Sequence, residues 1–88
     1  MQFVTKEKLI KVGNNIRKWR TLKGIKQEVL AEELEISKVS ISKIETGKTD
    51  VPLRRLFDIA SALEIDIQML FEDPGDILFP KGEYKLPK

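Results

Sequence analysis

Eighty-eight residues suffice for one small domain, and such a chain buries only about 60–65% of its unfolded surface, so its core must be modest. The absence of cysteine excludes disulfides and thiolate zinc sites, and the absence of histidine removes the commonest general base and metal ligand. The net charge of +2 hides an uneven split: residues 1–48 carry 11 Lys and Arg against 6 Glu, whereas residues 49–88 carry 5 against 8 Asp and Glu, which points to one polyanion-facing surface.

In chain order the sequence is punctuated as a string of short helices. Thr5 is expected to cap a first turn at Lys6-Glu7-Lys8, and Val12, Ile16 and Trp19 then recur at helical spacing until Lys23-Gly24 stops the element. At that spacing Trp19 belongs to the core rather than to a ligand-stacking site. A second helix runs from Gln27 to about Leu34, with Val29, Leu30, Ala31 and Leu34 as its apolar face. Its acids, Glu28, Glu32, Glu33 and Glu35, read as a solvated face, since no base or pocket accompanies them. Ser37 is a good N-cap for a third helix that ends at Gly47. Asp50 or Thr49 is expected to cap a fourth, with Pro52 in its first turn and Leu53, Leu56, Ile59, Ala60 and Leu63 buried. Asp66 is expected to cap a fifth, from Ile67 to about Glu72, which Pro74-Gly75 then breaks.

Five such helices with short connections predict an all-α, compact five-helix bundle. Ile77-Leu78-Phe79 is too short to assign as a strand, and the residues after it read as a loose tail. The predicted organisation is an extension of the first helix over 1–12, a domain over 13–73 and a tail over 74–88. No apolar run approaches the roughly 20 residues of a membrane span, and the opening residues lack a signal-peptide core. A soluble cytoplasmic protein with no membrane partner is the expectation.

One motif is excluded by its context. Gly47-Lys48-Thr49 copies the end of a phosphate-binding loop, but Ser42 stands where the first glycine of that loop belongs, no strand precedes it, and no helix continues directly from it. The stronger pattern is two short helices, 27–34 and 38–45, joined by Leu34-Glu35-Ile36-Ser37, a helix-turn-helix arrangement. Ala31 supplies the small residue at the crossing, and Ile41 and Ile44 anchor the second helix. Lys38, Val39, Ser40, Ser42 and Lys43 are left facing outward. A β-branched apolar residue among lysines and serines suits a DNA major groove, where lysine donates to guanine and an apolar side chain meets the thymine methyl. The alternative for Val39 is a contact at the rim of a neighbouring helix.

Residues 13–72 resemble the phage-repressor/Cro (XRE, lambda-repressor-like) helix-turn-helix family. The likeness lies in "GNNIRKWRTLKGIKQEVLAEELEISKVSISKIETGK" and "LRRLFDIASALEIDIQMLFE", which hold I-R-x-x-R, Q-x-x-L-A, I-S-x-I-E-x-G-K and I-A-x-A-L in that order. The resemblance implies a five-helix domain that binds operator DNA, commonly as a dimer. It implies that Gln27 touches the phosphate backbone and that Lys38, Val39, Ser40 and Lys43 meet bases or nearby phosphates. Ser37 and Ser42 join that DNA-binding set. It also implies that the backbone amides of the Thr46-Gly47-Lys48 loop and the Lys48 side chain approach a phosphate, and that Arg20 and Glu45 form a structural ion pair. Two positions depart from the family pattern: Lys26 replaces the usual Ser or Thr cap of the second helix, and Glu35 replaces the usual turn glycine.

The expected function is therefore that of a sequence-specific double-stranded DNA-binding regulator of transcription, a repressor on a palindromic operator, with no catalysis and no cofactor. Two other readings keep the fold: an antitoxin that controls its own promoter and binds a toxin, and a protein-interaction module without DNA binding. Surplus apolar residues at Met69, Leu70, Phe71, Ile77, Leu78 and Phe79 predict a homodimer joined there. The competing account folds 77–79 back over the chain's own helices.

Overall fold

The computed structural model describes residues 2–78, with side chains from Thr5 onward. Its elements are α1 (Gln2–Leu22), α2 (Gln27–Leu34), α3 (Lys38–Glu45), α4 (Leu53–Ala62), a 3-10 helix (Ile67–Phe71) and α5 (Pro74–Leu78). Among the described residues there is no strand, and no helix is long and apolar enough to cross a membrane. The all-α bundle is as expected, and α2 and α3 fall on the predicted bounds.

The core joins Ile16 and Trp19 of α1, Leu30 and Ala31 of α2, and Ile41 and Ile44 of α3 to Leu56, Ile59, Ala60, Leu63 and Leu70. Burying one of these leucines or isoleucines stabilises the fold by about 1.5–3 kcal/mol. Trp19 is core, as expected, and its Nε1 donates to the Met69 carbonyl at 2.9 Å. Asn15, fully buried, donates from Nδ2 to the Leu70 carbonyl at 3.1 Å. The Met69 carbonyl also accepts the Glu72 N–H at 3.3 Å, and the two side-chain bonds together fasten the 3-10 helix to α1.

Five expectations need correction. Asp66, at the N-cap position of the 3-10 helix, makes no side-chain capping bond. Thr5 is not the cap of α1, because nothing in Gln2-Phe3-Val4 breaks a helix and the element begins at Gln2. Neither Thr49 nor Asp50 caps α4. Pro52 holds the N-cap position with φ −59° and ψ 148°, and its carbonyl accepts the Leu56 N–H at 3.1 Å. A side-chain cap must come from the residue next to the first helical one, and Thr49 and Asp50 lie too early. Val29 and Leu53 are exposed, since each short helix buries only the stripe facing its neighbours. Pro74-Gly75 starts an element instead of ending one: proline suits the first position of a helix, and the Asp73 carboxylate accepts the Gly75 N–H at 2.7 Å. Lys18 also bonds Asp73. That hydrogen bond, and then the Gly75 N–H, hold the Asp73 carboxyl below its usual range.

Both turns that break the family or helix pattern are built on glutamate in a left-handed conformation. Glu35 has φ 59° and ψ 41°, and its N–H and that of Ile36 close α2 onto the Glu32 and Ala31 carbonyls at 3.1 and 3.0 Å. Glu64 repeats the device after α4, with φ 59°. Each non-glycine residue held this way costs roughly 1–2 kcal/mol. At the other end of α2, Lys26 gives no side-chain cap, as its chemistry requires.

Candidate nucleic-acid interface

The helix-turn-helix is assembled from both flanks. Ser37 caps α3 as expected: its Oγ accepts the Ser40 N–H at 3.0 Å, and the two serine hydroxyls lie 3.0 Å apart. Ile41 and Ile44 are buried beneath α3, and Arg55 of α4 donates to the Leu34 carbonyl at 3.2 Å, holding the end of α2. With its underside fixed, α3 presents Lys38, Val39, Ser42 and Lys43 to solvent, and Ser40 is half-buried. Val39 is 62% exposed.

Behind this face one carboxylate ties three helices together. Glu45, at the end of α3, is 5% exposed. It accepts Arg20 Nε at 2.6 Å and Nη2 at 3.2 Å from α1, and Gln27 Nε2 at 2.9 Å from α2. Arg20 Nη1 also donates to the Ile25 carbonyl at 2.6 Å. The implied Arg20–Glu45 pair is thus present, two-pronged and shielded from solvent. Gln27, implied as a backbone toucher, has its amide engaged inside this knot. Its presence there has no signature along the sequence.

A cleft of about 470 Å³ opens beside the knot, lined in part by Arg17, Lys26, Gln27, Glu28, Lys38 and Thr46. Uncapped, the N-terminal end of α2 faces it with a partial positive charge. The two acids of the cleft are Glu45, paired with Arg20, and Glu28. Glu28 sits 3.7 Å from Lys38 Nζ, both groups exposed, and its carboxyl is held below the usual range by its own backbone N–H and then by the Lys38 charge. Such an exposed pair is hydrated and screened, and is easily exchanged for another partner.

The loop after α3 differs from its implied role. The N–H groups of Thr46, Gly47 and Lys48 donate to the Ser42, Ile44 and Lys43 carbonyls at 3.0, 3.1 and 2.9 Å, closing the helix end. They are therefore not open to a phosphate. The Thr46 hydroxyl likewise donates to the Ser42 carbonyl at 2.8 Å. What the loop offers is the exposed Lys48 side chain.

Two glycines that sequence reasoning did not single out for packing set the position of this loop. A Cβ on Gly13 would lie 2.2 Å from the Ile44 carbonyl oxygen and 2.8 Å from that of Glu45. A Cβ on Gly47 would lie 2.7 Å from the Ile10 Cα. Hence α1 runs directly against the end of α3 and the loop beyond it. A glycine inside a helical pattern was the available signal for Gly13.

The apolar set assigned to dimerisation is divided. Leu70 is fully buried in the chain's own core, so it is withdrawn from the surface set. Met69 and Ile77 are half-buried against that core, as the in-chain account expects for Ile77. Phe71 and Leu78 are exposed, at 47% and 52%, and Phe79 lies outside the described residues.

Comparison with known proteins agrees with this geometry. The helix-turn-helix family model matches residues 16–70. A transcriptional regulator of helix-turn-helix type from Sinorhizobium medicae is 43% identical over 68 residues, covering 76% of this chain and 49% of that protein. Control protein C.MunI from a Mycoplasma species is 35% identical over 65 residues, covering 73% and 88%. The crystal structure of the restriction-modification controller protein C.AhdI from Aeromonas hydrophila superposes with a TM-score of 0.68 at 34% identity, covering 70% of this chain and 94% of that one. The chain spans about half the length of the curated Sinorhizobium and Rhizobium relatives it matches. The Sinorhizobium relative and one from Rhodospirillum rubrum are named as transcriptional regulators. With the paired helices, their buried anchors and a family match across more than half its length, the chain belongs to the XRE-type helix-turn-helix family.

Proposed function

We propose that the chain is a sequence-specific double-stranded DNA-binding regulator, a repressor that lays α3 in the major groove of a palindromic operator. The observation that carries this reading is the outer face of α3, where Val39 stands 62% exposed among Lys38, Ser42 and Lys43. Lys38 and Lys43 would donate to guanine O6 and N7 or to phosphates, Val39 would meet a thymine methyl, and the serines would let the helix approach closely. The cleft at the start of α2 and the Lys48 side chain would take phosphates on either side.

Affinity for duplex DNA is then expected to fall steeply with salt, each neutralised phosphate adding about −0.9 to the slope of log K against log salt. Lys48→Ala should flatten the slope by about one unit and leave the sequence preference unchanged. Selection of bound DNA from a random pool, followed by salt titration of the selected site, measures both. No duplex binding at low salt would end this reading. An unchanged slope would remove Lys48 from the phosphate set.

A homodimer follows from the same reading, because one small module reads few bases. Two copies would set their α3 helices about 34 Å apart, one turn of DNA. Within the segment expected to join them, Phe71 and Leu78 are the described apolar residues that stay exposed. The full chain is expected to sediment as a dimer at micromolar concentration, and the chain carrying Phe71→Ser and Leu78→Ser as a monomer. A dimer that survives both changes would move the interface elsewhere.

A further inference from the structure

The first three turns of α1 lie ahead of the family match, yet they are packed onto the loop proposed to meet DNA. Residues 2–12 hold three lysines against one glutamate. The close approach of Gly13 to the end of α3, and of Gly47 to Ile10, identifies which side of α1 faces that loop. Lys6 falls on the same side: it precedes Gly13 by seven residues, which places it about 20° round the helix and about 10 Å further along the axis. Arg17, one turn the other way, lines the cleft with Lys38 and Thr46. Lys6, Lys48 and Arg17 are all exposed. None of them enters the ion pairs formed among the described residues, which join Lys18 to Asp73, Arg20 to Glu45 and Lys38 to Glu28.

We propose that the first turns of α1 extend the duplex-binding face, with Lys6 gripping a backbone phosphate beyond the one taken by Lys48. This rests on the DNA-binding reading above and adds a contact outside the helix-turn-helix. Side chains on a helix lean toward its N-terminal end, so the Lys6 ammonium projects past the loop rather than into it. A row of cations along one side of a rigid helix follows a sugar-phosphate strand without reading bases. It therefore sets affinity and orientation, not sequence preference.

The test compares two single-charge changes on the same helix turn, with a mixed-sequence duplex long enough to flank the site on both sides. Lys6→Gln is expected to flatten the salt slope by about 0.9 and weaken binding by roughly five- to ten-fold at low salt. Lys8→Gln, about 160° round the helix from Lys6 and at an apolar groove lined by Leu9, Gly13, Ile44 and Phe71, should leave the slope as it is. Lys6→Arg should restore it. Lysine and glutamine have similar helix propensity, and equal melting temperatures would confirm that both variants are folded. Equal slopes for wild type and Lys6→Gln, or the same loss for both glutamine variants, would overturn the α1 contact while leaving the DNA-binding reading intact. A wild-type chain that binds no duplex would instead remove that reading and this one together.

Discussion

Arg20→Ala is expected to destabilise the fold by about 3–5 kcal/mol, a large fraction of what a domain of this size has. The loss is not that of a surface ion pair. The Arg20 and Glu45 side chains are 11% and 2% exposed, so the Glu45 carboxylate would stay in a dry site with only the Gln27 amide for company. The Ile25 carbonyl would also lose its donor. Removing the carboxylate as well should recover part of the loss, because the double change leaves no stranded charge. Thermal or denaturant melting of Arg20→Ala, Glu45→Ala and the double variant measures this directly. A double variant whose loss equals the sum of the two single losses would mean that the residues do not couple. The pair should also resist salt, since a shielded pair is screened far less than an exposed one. The consequence for DNA binding would be indirect: the carboxylate fixes the end of α3 against α1 and α2, and so sets the angle at which the outer face of α3 is presented.

How far such a site can be read from one dimension depends on whether its parts are local. The bounds of α2 and α3 were legible because Ser37, Gly47 and the turn between them are punctuation that acts within a few residues. The outward position of Val39 followed from the same local geometry, since Ile41 and Ile44 fix the helix underside. The start of α1 was not legible, because a helix with no cap and no breaker carries no mark at its beginning. Pro74-Gly75 misled for a related reason: proline ends a helix it follows and begins one it opens, and only Asp73 just before it favours the second. Non-local partners needed another source. Arg20 and Glu45 were joined only through the family resemblance, and neither Gln27 at Glu45 nor Asn15 at the Leu70 carbonyl leaves a periodic signal. The loop after α3 was misread at its backbone. The family resemblance implies amides that approach a phosphate, whereas the helix end closed by this loop uses those amides itself.

Gly13→Ala is expected to cost about 2–3 kcal/mol, against the ordinary rule that alanine improves a helix interior by about 1 kcal/mol. The added methyl would start 2.2 Å from the Ile44 carbonyl oxygen and 2.8 Å from that of Glu45, and both obstacles are backbone, which cannot rotate aside. α1 must therefore move off the end of α3. That movement loosens the carboxylate knot at Glu45 and the contact between Ile10 and Gly47 at once. Gly24→Ala is the matched control. Nothing lies within 4 Å of a Cβ there, but the backbone has φ +73°, so only a local cost of roughly 1–2 kcal/mol should appear. The two substitutions separate a packing role from a conformational one. Gly13→Ala should also weaken duplex binding more than its stability loss explains, measured at a temperature where the variant is fully folded, because the loop carrying Lys48 rests on α1. Gly24→Ala should leave the affinity of the folded protein unchanged. A Gly13→Ala protein that melts at or above the wild-type temperature would show that α1 and the end of α3 are not in close contact, and the shared face argued for Lys6, Lys48 and Arg17 would fall with that contact.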